Sequence, residues 1–145
     1  MRNFIIKEIN RLVEKHGIND PFEIAQNENI IIIFEPLGII KGYYNSYARQ
    51  KFIHINSDLD EMERHFTCAH ELGHAILHPS SNTPFLRSCT YFSVDKIESQ
   101  ANKFATELIL YNLKLDKHYL DNIDINEISF KYMVPLELVQ YKFSK

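Results

Sequence analysis

Apolar residues recur at helical spacing from Asn3 to His16, where Phe4, Ile5, Ile9, Leu12 and Val13 share one face and Gly17 follows as a C-terminal cap. The pattern predicts a helix with one buried face. Asp20-Pro21-Phe22-Glu23 then supplies an N-cap, a proline at the first helical position and an acid in the first turn, so a second, short helix starts here and ends near Asn27. The period changes next. Ile30 to Phe34 is an unbroken apolar run that reads as a buried strand, Pro36 to Gly38 turns the chain, and Ile39 to Tyr47 and Lys51 to Ile55 read as two further β segments. Between Phe52 and Asn56 only Ile53 and Ile55 alternate cleanly, and a small antiparallel sheet packed on helices is the expected outcome.

Ser57-Asp58-Leu59-Asp60 opens a longer helix and Pro79 closes it. With His70 set to zero and 100° per residue, Leu59, Met62, Phe66, Ala69, Gly73, Ile76 and Leu77 fall in an arc from roughly 240° to 340°, the predicted core face. His74 at about 40° and Glu71 at about 100° then sit on its margin, where buried helix meets a cleft. Gly73 lies inside the apolar arc and leaves room for a neighbouring element to pack closely. Pro79 to Cys89 is rich in Ser, Asn, Thr and Pro and reads as a loop that borders the cleft. Ser93 offers an N-cap for a helix running through Leu110, and beyond Leu113 two short amphipathic pieces follow, near Ile125 to Tyr132 and Pro135 to Phe143. They read as a helix-turn-helix-like pair. The fold class expected is therefore α+β in a single domain, 1–145, with a core over 1–112 and a C-terminal helical subdomain over 113–145.

Composition narrows the function classes. A net charge of -3 and no basic stripe argue against direct nucleic-acid binding, and the stretch 135–142 carries only Lys142 as a cation. The longest apolar run is far short of the ~20 residues that span a bilayer, and the N-terminus shows no signal-peptide pattern, so a cytoplasmic protein with no membrane partner is expected. Cys68 and Cys89 lack a C-x-x-C spacing and read as thiols that need not bind metal.

His70-Glu71-Leu72-Gly73-His74 carries the chemistry. Residues four apart on a helix lie one turn apart on the same face, so both imidazoles reach one ion while Glu71 is offset toward a water. That is the arrangement of a metallohydrolase, with Zn2+ as the ion, one per chain, and Glu71 as the catalytic base. A catalytic zinc usually takes three protein ligands and keeps a fourth position open. The candidates for the third are His54, His65, His78, His118, Asp95, Glu98 and Glu107. His78 is about 12 Å along the helix from His70, too far to share an ion, and reads as a cap for the last carbonyls of its helix. On the helix that follows, Val94, Ile97, Ala101, Phe104, Ala105, Leu108 and Ile109 form the buried arc, and Glu98 falls within it at about 40° from Val94. Asp95 and Glu107 fall outside, on the solvated side. A buried carboxylate needs a cation, either the metal or a lysine or arginine. Asn102, one turn on, can hydrogen-bond Glu98 as an orienting residue or lie on the surface.

The segment from Phe66 to His78, followed by Glu98-Ser99-Gln100-Ala101-Asn102-Lys103-Phe104-Ala105-Thr106-Glu107-Leu108, resembles the ImmA/IrrE family of intracellular zinc peptidases. The likeness extends through Gly42-Tyr43-Tyr44 and Ile53-His54-Ile55-Asn56 and covers most of the chain. It implies a zincin-like core in which His70, His74 and Glu98 bind zinc and Glu71 is the base. It also implies an anti-repressor of a phage or mobile element, a regulator of transcription whose protein substrate is a helix-turn-helix repressor. The chain departs from the family at Tyr111, where a proline is common after the paired aliphatics, and at Cys68, where an aliphatic residue is usual. Neither is a ligand position. The strand edge from Tyr43 to Tyr47 is the candidate for holding an extended substrate, with Tyr43 or Tyr44 as a possible oxyanion donor. A second reading keeps the repressor partner but makes the protein a non-proteolytic binder with a structural zinc. The presence of Glu71 argues against it, because a structural site has no need of a base.

Overall fold

Aspartate caps set the start of most helices in the computed structural model, which describes residues 2–82, 84–86, 95–113, 122 and 124–144. Helix α1 (Arg2–His16) ends at Gly17, whose φ of 70° and N–H donated to Val13 O at 2.8 Å form the expected left-handed cap. Asp20 accepts from Phe22 N to start α2 (Pro21–Asn27), with Pro21 at its first position as the sequence predicts. Asp60 accepts from Glu63 N to start α3 (Glu61–Leu77), and Asp124 from Asn126 N to start α5 (Ile125–Tyr132). Helix α4 (Lys96–Ile109) is capped by Asp95, which accepts from Ile97 N and Glu98 N. The cap expected at Ser93 lies outside the described residues, as do His118 and Cys89. Among the described residues, no helix is long and apolar enough to cross a membrane.

The sheet is mixed, where an antiparallel one was expected. Its strands β1 (Ile30–Glu35), β2 (Ile40–Tyr47), β3 (Gln50–Asn56) and β4 (Phe85–Leu86) lie in the order β1-β3-β2-β4. β2 and β3 form a hairpin over Ala48 and Arg49, both in left-handed conformation, so β3 folds back between its two predecessors and lies parallel to β1. The β1–β2 connection must then cross the end of β3. Asn56, fully buried there, holds it by donating from Nδ2 to Gly38 O at 3.1 Å and Ile40 O at 2.9 Å. β1 is consequently an edge strand, and its apolar run is not buried throughout: Ile31 and Phe34 are exposed. The two-residue β4 interrupts what the sequence reads as loop, pairing antiparallel with Ile40 and Gly42 of β2.

Ile53 and Ile55 of β3, Tyr44 of β2 and Ile30 of β1 face a core shared with Ile5, Ile9 and Leu12 of α1, Ile24 of α2, Leu72 of α3 and Phe104 and Leu108 of α4. A second cluster joins the other side of α3 and α4, through Phe66, Ala69, Ala105 and Ile109, to Ile128 of α5 and Leu138 and Val139 of α6 (Leu136–Phe143). Helix α3 thus lies between two cores, and every residue from Phe66 to Ala75 is buried. That corrects the single buried arc of the helical wheel, because β2 covers the face on which Glu71 was expected to meet solvent. Glu107, placed on the solvated side by the same kind of reading, forms an ion pair with Lys142 of α6 at 2.8 Å. Ile97, placed in the core arc, is exposed in the first turn of α4.

Gly42 lets β2 close on α3. A Cβ there would stand 2.6 Å from His54 O and 2.7 Å from Thr67 Cγ2. Gly42→Ala is therefore expected to lower stability by roughly 1–3 kcal/mol, read as an earlier urea midpoint. An unchanged midpoint would mean that β2 and α3 are not pressed together at this point.

Candidate metal centre

His70 and His74 project from consecutive turns of α3 toward Glu98, which α4 presents from its first turn. The helices approach closely because Gly73 has no side chain: a Cβ on it would stand 3.1–3.2 Å from the Cβ and ring of Phe104. His70 Nε2 lies 3.3 Å from Glu98 Oε1, and His74 Nε2 lies 2.6 Å from Glu98 Oε2. One ligand atom from each of the three lies within 4.8 Å of the others, the spacing of a shared cation. The second contact is close yet misaligned for a hydrogen bond, leaving His74 Nε2 and Glu98 Oε2 buried without a hydrogen-bond partner among the described residues. Buried polar atoms are normally satisfied, so convergent orphans of this kind fit a metal ion.

Glu71 completes the group. Its side chain is fully buried, both carboxylate oxygens lack a hydrogen-bond partner among the described residues, and Oε2 lies 4.0 Å from His70 Nε2. Burial pushes its pKa well above the usual carboxylate range, and the nearby Glu98 charge adds to the effect. Glu98 goes the other way: burial alone would raise it, but the two imidazoles set against its carboxylate prevail and hold it at about 2. Burial lowers the pKa of His70, which favours the neutral imidazole that can coordinate a metal. Two carboxylates in one dry site are thus driven apart in proton affinity, the usual electrostatic signature of an acid–base centre.

Asn102 is buried, and its Oδ1 accepts from His70 Nδ1 at 2.8 Å, so it orients a histidine of the cluster. His78 does not cap carbonyls with its ring: Nδ1 meets His74 Nδ1 at 3.1 Å and Nε2 meets Gln100 Oε1 at 2.6 Å. Tyr44 is a core residue whose hydroxyl donates to Pro79 O at 2.8 Å, and the Tyr43 ring stacks on His54 at 4.1 Å. Neither tyrosine belongs to the His70–His74–Glu98 cluster. His54 and His65 are also elsewhere, on β3 and against the Phe22 ring, and Asp95 serves as a helix cap.

Phe85 of β4 was not anticipated. Its ring lies flat on His70, with centroids 3.9 Å apart and planes 10° from parallel, and Lys41 Nζ stands 5.0 Å from its centroid. Nothing in a serine- and proline-rich loop sequence singles out that aromatic. The cue for His78 was available, since it stands one helical turn beyond His74.

A metal cluster built from His-Glu-x-x-His on one helix and a glutamate on the next, on an α+β scaffold, defines a metallopeptidase class. The chain belongs to the Peptidase_M78 family, the IrrE N-terminal-like domain, whose profile matches residues 25–144. It is 42% identical over 137 residues to "Uncharacterized immunity region protein 2" of Bacillus phage phi105, covering 92% of this chain and 85% of that protein. It is 33% identical over 142 residues to "Metallopeptidase ImmA" of Bacillus subtilis (strain 168), covering 95% of this chain and 83% of that protein. The family resemblance read from the two motifs is therefore correct.

A divalent transition-metal ion supplied at about 100 times its dissociation constant is expected to stabilise the protein by ~2.7 kcal/mol. For a chain of this size that raises Tm by roughly 5–10 °C. His74→Ala should show no such rise in the same thermal melts. An equal rise in that variant would place the ion elsewhere.

Proposed function

We propose that this protein is a zinc endopeptidase that cleaves a helix-turn-helix transcriptional repressor, with His70, His74 and Glu98 as metal ligands and Glu71 as general base. The observation that carries the reading is Glu71: a fully buried carboxylate with no hydrogen-bond partner among the described residues, next to a two-histidine, one-glutamate cluster. A structural site does not call for such a group. The donor set of two imidazoles and one carboxylate suits zinc and leaves one coordination position for water or substrate. Bound there, zinc would acidify a water molecule and polarise the scissile carbonyl. Glu71 takes the proton from the attacking water and returns it to the departing amide nitrogen. Asn102 holds the His70 ring through Nδ1, and the Phe85 ring shields one face of it from water.

The substrate side is supported by position. β4 pairs with β2 only at Ile40 and Gly42, and the described residues place no strand against its outer edge from Tyr43 to Tyr47, where an extended peptide can add by main-chain hydrogen bonds. A cavity of about 570 Å³, lined by Lys41, Met62, Thr67, Pro135 and Leu136 among others, lies beside the first half of α3 and reaches the C-terminal helices. The name of the phage phi105 relative refers to an immunity region, which favours a repressor as the target.

The test is incubation of a purified helix-turn-helix repressor with the purified protein. Wild type is expected to cut at one bond, and Glu71→Gln to retain its metal while losing roughly 10²–10⁴ of the rate. Cutting by Glu71→Gln at the wild-type rate would remove Glu71 as the base. Tight repressor binding by metal-loaded wild type with no cleavage would favour the non-proteolytic binder.

A further inference from the structure

The helix-end role expected of His78 is filled by its backbone, whose N–H donates to His74 O at 2.8 Å whatever the side chain. The ring serves a different purpose. Its Nδ1 lies 3.1 Å from His74 Nδ1, and two imidazole nitrogens at that distance need one donor and one acceptor. Its Nε2 lies 2.6 Å from Gln100 Oε1. A carbonyl oxygen only accepts, so His78 carries its proton on Nε2 and presents a lone pair at Nδ1. His74 Nδ1 must then be the donor. This leaves His74 Nε2 unprotonated and directed at Glu98 Oε2, 2.6 Å away. His70 reaches the same state independently, since its Nδ1 donates to Asn102 Oδ1 at 2.8 Å and its Nε2 faces Glu98 Oε1 at 3.3 Å. Turning the Gln100 amide around would reverse the chain of donors and put a proton on His74 Nε2, where it would block a metal.

Building on the metal-centre reading above, we infer that Gln100 and His78 form a hydrogen-bond relay that fixes the tautomer and orientation of His74. Both are positioning residues that act through His74, and neither is a ligand. The two metal-binding histidines are thus held by unlike devices, an asparagine for His70 and a histidine–glutamine pair for His74. Outer partners of this kind typically alter metal affinity by about 10–100-fold. The relay ends on a neutral amide, so a carboxylate in place of Gln100 makes His78 a stronger acceptor and His74 a better ligand.

The experiment is competition for Zn2+ between the whole protein and a chromophoric chelator at neutral pH, with Co2+ absorption as an independent readout of ligand geometry. His78→Ala is expected to weaken binding by about 10–100-fold and to shift the Co2+ bands. Gln100→Ala should weaken it by several-fold, roughly the effect of one orienting hydrogen bond, and Gln100→Glu should restore or tighten it. In the relay Gln100 acts on the site through His78, so the double alanine variant should bind no more weakly than His78→Ala alone. Losses that multiply, or a His78→Ala affinity within about twofold of wild type, would overturn the relay. If metal-free His78→Ala melts below wild type, the two Gln100 variants decide the question alone: equal affinities reject the relay, opposite shifts support it. Failure of wild type itself to bind Zn2+ would instead reject the metal centre.

Discussion

Four ionisable side chains are buried on α3 and α4, His70, His74 and Glu98 between the two helices and Glu71 beneath β2, and the rest of the structure depends on holding them there. Removing such groups from water costs several kcal/mol each unless other charges and hydrogen bonds answer them. The protein answers part of the cost internally. Asn102 satisfies one histidine, His78 the other, and both imidazoles contact Glu98. Glu71 is left without a hydrogen-bond partner among the described residues. A cation bound at this site would offset the remaining deficit, so the arrangement that burdens the metal-free fold would suit a metal-loaded one.

The distance between the two helices sets this geometry. Gly73 against Phe104 fixes how near α4 can come, and hence whether the Glu98 carboxylate reaches both histidines. The sheet then clamps α3 from another side. Gly42 brings β2 against Thr67 and Glu71, Lys51 donates to Ala75 O at 2.8 Å near the helix end, and Tyr44 ties Pro79 just beyond it. The stacked Phe85 ring restricts His70 by contact, and the Lys41 ammonium, 5.0 Å from the Phe85 centroid, holds that ring by cation–π attraction. Each device is small. Together they hold the ligand rings to the narrow tolerances a metal site needs.

The C-terminal helices share in this support. Ile128, Leu138 and Val139 pack with Phe66, Ala69 and Ala105, so α5 and α6 extend the core on which the metal helix rests. The Glu107–Lys142 ion pair joins α4 to α6 at the edge of that packing.

Motifs whose meaning is set by short-range geometry were legible without coordinates. His70, Glu71 and His74 are one helical turn in extent, and Asp20, Asp60 and Gly17 act on neighbouring backbone, so spacing alone determined their placement. Glu98 was legible for a related reason, since an acid within an apolar arc demands a cation. What depends on a second element was not. The parallel β1–β3 pairing arises from a hairpin that folds back inside the sheet, and a run of isoleucines cannot say whether its strand lies at an edge. The helical wheel gave α3 one buried face because it sees one helix at a time, whereas β2 and α5–α6 bury the others. The partners of Asn102, His78, Tyr44 and Phe85 were likewise decided by tertiary structure, because a side chain's hydrogen-bonding or stacking partner is whatever the packing brings within 3–4 Å. Sequence by itself determined which atoms can bind and act; the fold decided what surrounds them, and burial is a property only of surroundings.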